Sequence, residues 1–197
     1  KMHRTGGINM NLNNIISERL RDSKLEPSLR ERYNIALKKE FSDDLPNCGL
    51  FIDNTFSGDD SIDYEKGIRL FLGKKWTEVD LDYLYEEYVQ FLMLNDDGFI
   101  YYLPSFLLYF YDLKHFALEY YIYFMDKLEL GLNESKATYN VGRRRQDYSG
   151  FNKLSHEQSK LVALFLVNTA NLLPDGYMEK AQAQRALTNY WGNFLLF

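Results

Sequence analysis

The chain holds a single cysteine, Cys48, in 197 residues. A lone thiol closes no internal disulfide, so the fold needs no oxidising compartment, and a buried thiol is the expected state. Histidine is nearly as scarce. His3, His115 and His156 lie far apart, none at metal-ligand spacing from another histidine or cysteine, which removes zinc-type sites. The chain also lacks a glycine-rich phosphate loop, a dinucleotide fingerprint and a nucleophile elbow. No metal, no cofactor and no catalytic set is therefore assigned. The nearest approach to a cation loop, Asp53 to Glu65, has Gly58 at the sixth position, but Tyr64 stands at the twelfth and Glu65 falls one residue late. It reads as a structural acidic loop.

A long hydrophobic run is absent as well. The most apolar stretch, "FIYYLPSFLLYFY" from Phe99 to Tyr111, has 13 residues, whereas a membrane-crossing helix needs roughly 20. It is expected to be core. The opening "KMHRTGGINM" has no apolar segment of the secretory kind, so residues 1–9 are read as an expression remnant or a disordered lead-in, with Met10 as the natural start. No Gly, Ser or Pro linker divides the rest. The expectation is one cytoplasmic domain over 10–197.

What is abundant is helical patterning. Ser28 and Glu31 have capping-box spacing, and Leu29, Tyr33, Ala36, Leu37 and Phe41 follow at helical intervals, which predicts a helix over 28–41. A helix with a thinner apolar face is expected over 13–23, and Leu81, Leu84, Tyr85, Tyr88 and Leu92 predict another from Thr77 or Asp80 to Leu94. Pro104 is well placed at a first helical turn, so the next helix is expected to begin at Leu103 or Pro104, with "NDDG" before it as a turn. It runs to Leu128, unbroken or as a pair divided near Asp112 to Lys114. Ser155 and Gln158 form a second capping box, with His156 in the first turn and Pro174 and Gly176 as the stop; a last helix covers Met178 to Trp191. Strand signals are confined to 49–56, and long loops remain at 42–64 and 131–152. The fold class is all-α, with about six to seven helices and at most that minor strand.

The charge layout is one-sided. The net charge of −5 divides into +4 over residues 1–41, −11 over 42–113 and +2 over 114–197, with no Lys or Arg between Lys75 and Lys114. Solvated helix faces usually interleave signs. Asp59, Asp60, Asp63, Glu65, Asp80, Asp82, Glu86, Glu87, Asp96 and Asp97 are therefore read as contributing to one acidic surface that steers a basic partner. The competing reading is solvated acids, with some, such as Glu78 and Asp80, held at helix N-termini by the macrodipole. An acidic face argues against nucleic acid, whose phosphates need clustered cations. The one basic knot, Arg143, Arg144 and Arg145, is a candidate anion grip, weighed against ordinary solvated arginines.

Three stretches read together carry a resemblance: "FLGKKWTEVD" from Phe71, "FIYYLPSFLLYF" from Phe99, and "LSHEQSKLVALFL" from Leu154 closing on "ALTNYW" from Ala186. Their order resembles a family of small bacterial proteins of unknown function, over roughly residues 50–191. The resemblance implies packing and capping roles for Trp76, Pro104 and Trp191, with no catalytic set to carry over. The chain departs from the pattern at Ser155 and Ser105, where the family has Thr and Ala, and in the Arg-rich stretch within 131–152. Small acidic proteins of this kind are similar to immunity proteins that neutralise a toxin, an analogy of class. The functional expectation is an inhibitor whose acidic surface meets a basic, nuclease-like toxin domain. The alternatives are a small-substrate enzyme using Arg143 to Arg145, or an adaptor or homo-oligomer subunit.

Overall fold

The computed structural model describes residues 26–47, 49–51, 68–80, 94–111, 119–132 and 148–196. Its architecture is all-α. The described helices are α1 (Glu26–Glu40), α2 (Asp96–Phe110), α3 (Glu119–Leu130), α4 (His156–Leu172) and α5 (Met178–Asn189). A helical turn at 68–71 and 3-10 turns at Trp76–Glu78, Ser149–Lys153 and Trp191–Leu195 complete them. Among the described residues there is no strand; the segment expected to be one supplies a single isolated bridge, Phe51 to Leu94. The helix expected over 13–23 and most of the one expected up to Leu94 lie outside the described residues. What is described at the start of the latter is a 3-10 turn rather than α-helix, closed by the Lys75 N–H donating to the Glu78 carboxylate at 3.0 Å.

Helix α2 begins at Asp96, seven or eight residues before the start expected at Leu103 or Pro104. Asn95 is its N-cap: Oδ1 accepts from the Gly98 N–H at 2.8 Å, and Asp96 and Asp97 occupy the first turn, where the helix dipole favours carboxylates. Pro104 therefore sits inside the helix, buried, at a position that denies Ile100 its helical hydrogen bond. The penalty is outweighed by the burial around it. Phe99, Tyr102, Leu103, Phe106, Leu107 and Phe110 are all nearly inaccessible, so the apolar run is core, as its length and flanks predicted. Asn95 also holds the preceding segment. Its Nδ2 donates to the Gly49 and Phe51 carbonyls at 2.9 and 3.1 Å, and its N–H donates to Leu50 at 3.1 Å. The approach is so close that a Cβ on Gly98 would lie 2.0 Å from the Leu50 carbonyl oxygen, which only glycine allows.

Aromatic rings join the layers. Phe99 and Phe110 of α2 pack on Phe124 of α3 with centroids 6.0 and 5.2 Å away, and Phe124 meets Phe165 of α4 edge-on at 5.7 Å. Phe151 leads from Phe99 to Trp191, whose indole N–H donates to the Leu128 carbonyl at 2.8 Å. The predicted capping box at the start of α4 is present, with Ser155 and Gln158 bonding each other's backbone N–H. Gln158 does a second thing: its Nε2 donates to the Glu40 carbonyl at 2.8 Å, tying the start of α4 to the last turn of α1. Helix α1 already runs through Glu26 and Pro27, so Ser28 lies within it and is not its cap.

Asn95→Ala should destabilise the fold by about 2 kcal/mol, the sum of a lost cap and the lost tie to 49–51. Asn95→Asp, which keeps the cap acceptor and loses the Nδ2 donor, should cost roughly half as much. Urea unfolding of the two variants measures this, and an Asp variant as stable as the parent would show that the tie contributes nothing.

Candidate functional site

The motif "FLGKKW" is a turn that re-enters the core. Phe71 is buried, Gly73 takes φ +70 to reverse the chain, and Trp76 returns inward. Tyr102 of α2 holds this turn, its hydroxyl 2.7 and 3.0 Å from the carbonyl oxygens of Phe71 and Lys74. Ser105, one turn along, donates to the Trp76 carbonyl at 2.5 Å. The Trp76 indole N–H donates to the Ser42 carbonyl at 3.1 Å. The 3-10 turn Trp76–Glu78 thus lies across α2 and divides its surface in two.

On one side is an acidic edge. Residues 42–47, expected as part of a long loop, are pinned there: the Thr77 hydroxyl bonds the Asp43 carboxylate at 2.8 Å, and the half-buried Tyr101 donates to the Asp43 carbonyl at 3.2 Å. Lys75 reaches the same carboxylate at 3.4 Å, an exposed pair of small energetic weight. Burial raises the Tyr101 hydroxyl above the usual tyrosine pKa. A backbone hydrogen bond at Trp76 opposes this, and the charges of Asp43, Glu78 and Asp44 push it further up. Three carboxylates thus act on one phenol, with exposed Asp80 two residues beyond Glu78.

On the other side is a cleft of about 260 Å³ lined by Arg30, Asn34 and Lys38 of α1, by Trp76, Thr77 and Val79, and by Ser105, Leu108 and Tyr109 of α2. Among the described residues its polar lining is Arg30, Asn34, Lys38, Thr77, Ser105 and Tyr109, and Thr77, whose hydroxyl bonds Asp43, belongs to both sides.

Of the acids singled out in the sequence, Asp80, Asp96 and Asp97 are described. Asp96 and Asp97 begin α2, and Asp97 pairs with Lys153, so its charge is shared with a cation of the same chain. Asp59, Asp60, Asp63, Glu65, Asp82, Glu86, Glu87 and the arginines Arg143, Arg144 and Arg145 lie outside the described residues, as does Cys48. His156 is the first residue of α4, its ring edge-on to Phe194 at 5.6 Å. Sequence reasoning missed Asp43, Asp44 and Tyr101 on the edge and Arg30, Asn34 and Lys38 in the cleft. The last three had a signal, their i, i+4, i+8 spacing on a predicted helix. Among the described residues no group of three or more His, Cys, Asp or Glu side chains is arranged to hold a metal ion, and no helix is long and apolar enough to cross a membrane.

These features define an all-α domain in which a tryptophan turn locked to a buried helix separates two small polar surfaces. Residues 57–195 match the family described as "Family of unknown function (DUF6714)", and the chain belongs to it. The matched span includes the Gly73 to Trp76 turn, buried Pro104 and buried Trp191. No curated protein and no solved structure matches the chain.

Neutralising the edge with Asp43→Asn, Asp44→Asn and Glu78→Gln should move the Tyr101 titration down toward the ordinary value near 10, because removing negative charge makes the phenolate less costly. Carbon-13 NMR of the tyrosine Cζ resonances follows it. A Tyr101 titration that does not move would mean the carboxylates do not converge on this ring.

Proposed function

We propose that this protein is an inhibitor of the immunity type, a cytoplasmic binding protein that neutralises a cognate bacterial toxin by presenting an acidic surface to its basic, nuclease-like active site. The observation that carries the reading is the gathering of Asp43, Asp44 and Glu78 around Tyr101 within the segment of −11 charge. Excess negative charge on one surface attracts a positive groove over a Debye length, raises the encounter rate and repels nucleic acid. A partly buried tyrosine in the middle of such a surface provides what interface anchors need: a rigid ring at low entropic cost and a hydroxyl for a polar contact. The additional acids of 59–65 and 80–87 extend the same charge along the chain.

The test is isolation of the native complex from the protein's own cells at low salt, identification of the partner, and association kinetics across a salt series. A stoichiometric basic protein that dissociates at high salt is expected. Asp44→Lys with Asp80→Lys, and separately Asp59→Lys with Asp60→Lys and Asp63→Lys, should each slow association by about tenfold or more at low salt while the dissociation rate changes little. Association insensitive to both salt and charge reversal contradicts the proposal, and so does recovery of the protein alone from cells that express the toxin.

A further inference from the structure

An Asp-Gly pair is chemically reactive because glycine puts no Cβ in the way when its backbone nitrogen approaches the aspartate side chain. The chain has two such pairs, Asp97-Gly98 and Asp175-Gly176, and no Asn-Gly. The fold treats them differently. Asp97 and Gly98 lie in the first turn of α2, where Gly98 is buried and its N–H donates to Asn95 Oδ1 at 2.8 Å. A nitrogen fixed by that bond and by helical backbone angles is not available for attack. Asp175 and Gly176 instead form the turn between α4 and α5. Gly176 has φ +95, and a Cβ on it would meet no atom within 4 Å, so the turn stands in open space. The Asp175 side chain is 96% exposed, and its Oδ1 accepts from the Lys180 ammonium of α5 at 2.6 Å. That hydrogen bond, and then the lysine charge, hold the Asp175 carboxyl below the usual aspartate range against an opposing desolvation. The titratable groups around the turn are Lys180, Tyr177 and Glu179 at the start of α5; the end of α4, Thr169 to Leu173, carries none.

We propose that Asp175-Gly176 is a site of spontaneous isomerisation to isoaspartate, and that Lys180 restrains the reaction. The Gly176 nitrogen attacks Cγ of the protonated Asp175 carboxyl; the N–H proton and the carboxyl hydroxyl leave as water, and a cyclic succinimide remains. Water then adds to the former main-chain carbonyl and breaks its bond to nitrogen, so that the chain continues through Cγ and the α-carboxyl is free. An ionised carboxylate has no hydroxyl to lose. A lysine that keeps Asp175 ionised therefore slows the first step. The product carries one extra methylene in the main chain of the α4–α5 turn and a carboxylate directly on that chain, the group that isoaspartyl carboxyl methyltransferases esterify with S-adenosylmethionine. Neither step involves the acidic edge, so the inference stands apart from the inhibitor reading.

The experiment is storage of the full chain at several pH values from acidic to neutral, with isoaspartate located by peptide mass spectrometry and counted by enzymatic methylation with labelled S-adenosylmethionine. Isoaspartate should accumulate in the peptide holding Asp175 and not in the one holding Asp97. Lys180→Gln should accumulate it about twofold to fivefold faster, the worth of an exposed ion pair, and the fall of the rate with rising pH should move to higher pH. Lys180→Arg, which keeps the charge, should follow the parent. Raising salt on the parent, which screens an exposed pair without any substitution, should speed the reaction in the same direction as Lys180→Gln. Three results overturn the proposal: no isoaspartate at Asp175, equal rates at Asp97 and Asp175, or a rate indifferent to both Lys180→Gln and salt.

Discussion

The rest of the structure depends on the burial of α2. A helix apolar on nearly every side has to be surrounded, and here it is enclosed by the Trp76 turn, α1, α3 and the 3-10 turn that carries Phe151. Burying a phenylalanine or leucine contributes about 2 kcal/mol each, so the six large apolar residues of α2 that are nearly inaccessible outweigh a proline in mid-helix, which costs about 3 kcal/mol. Several of the polar atoms that go inside with them are matched. Tyr102 and Ser105 satisfy carbonyls of the turn that covers them, Asn95 satisfies carbonyls at 49 and 51, and Asn168 of α4 donates to the Tyr111 carbonyl at the far end of α2.

That arrangement also creates the two polar surfaces. Tyr101, Ser105 and Tyr109 follow each other at four-residue spacing along one line of α2, and the Trp76 turn crosses the line at Ser105. Tyr101 is left on the side of Asp43, Asp44 and Glu78, and Tyr109 on the side of Arg30, Asn34 and Lys38. Ser105 adds the hydroxyl that bonds the Trp76 carbonyl at the crossing.

Some of this was legible in the sequence because it is local. A capping box needs residues three apart, and the one at Ser155 and Gln158 is where the spacing placed it; the run of 13 apolar residues was legible as too short to cross a membrane. The start of α2 was misplaced because two local signals compete there. Proline marks helix starts, Asn followed by acids and glycine marks turns, and only the long-range bonds from Asn95 to 49–51 decide that the same four residues cap and open a helix. The edge and the cleft were legible only in part: the row Arg30, Asn34 and Lys38 shows in the spacing of a predicted helix, but Thr77 meets Asp43 and Ser105 meets Trp76 across about thirty residues of chain. Charge counting found the acidic segment; it had no means to find which of its members share a surface.

On the proposed function, the acidic edge around Tyr101 is a docking surface for positive charge. The most direct measurement is a titration of isotope-labelled protein with decalysine at low ionic strength, followed amide by amide. The claim predicts saturable shifts at Asp43, Asp44, Glu78, Asp80 and Tyr101 that vanish as salt is raised, with the α4–α5 hairpin unaffected. Shifts spread evenly over the surface, or centred on α5, would contradict it.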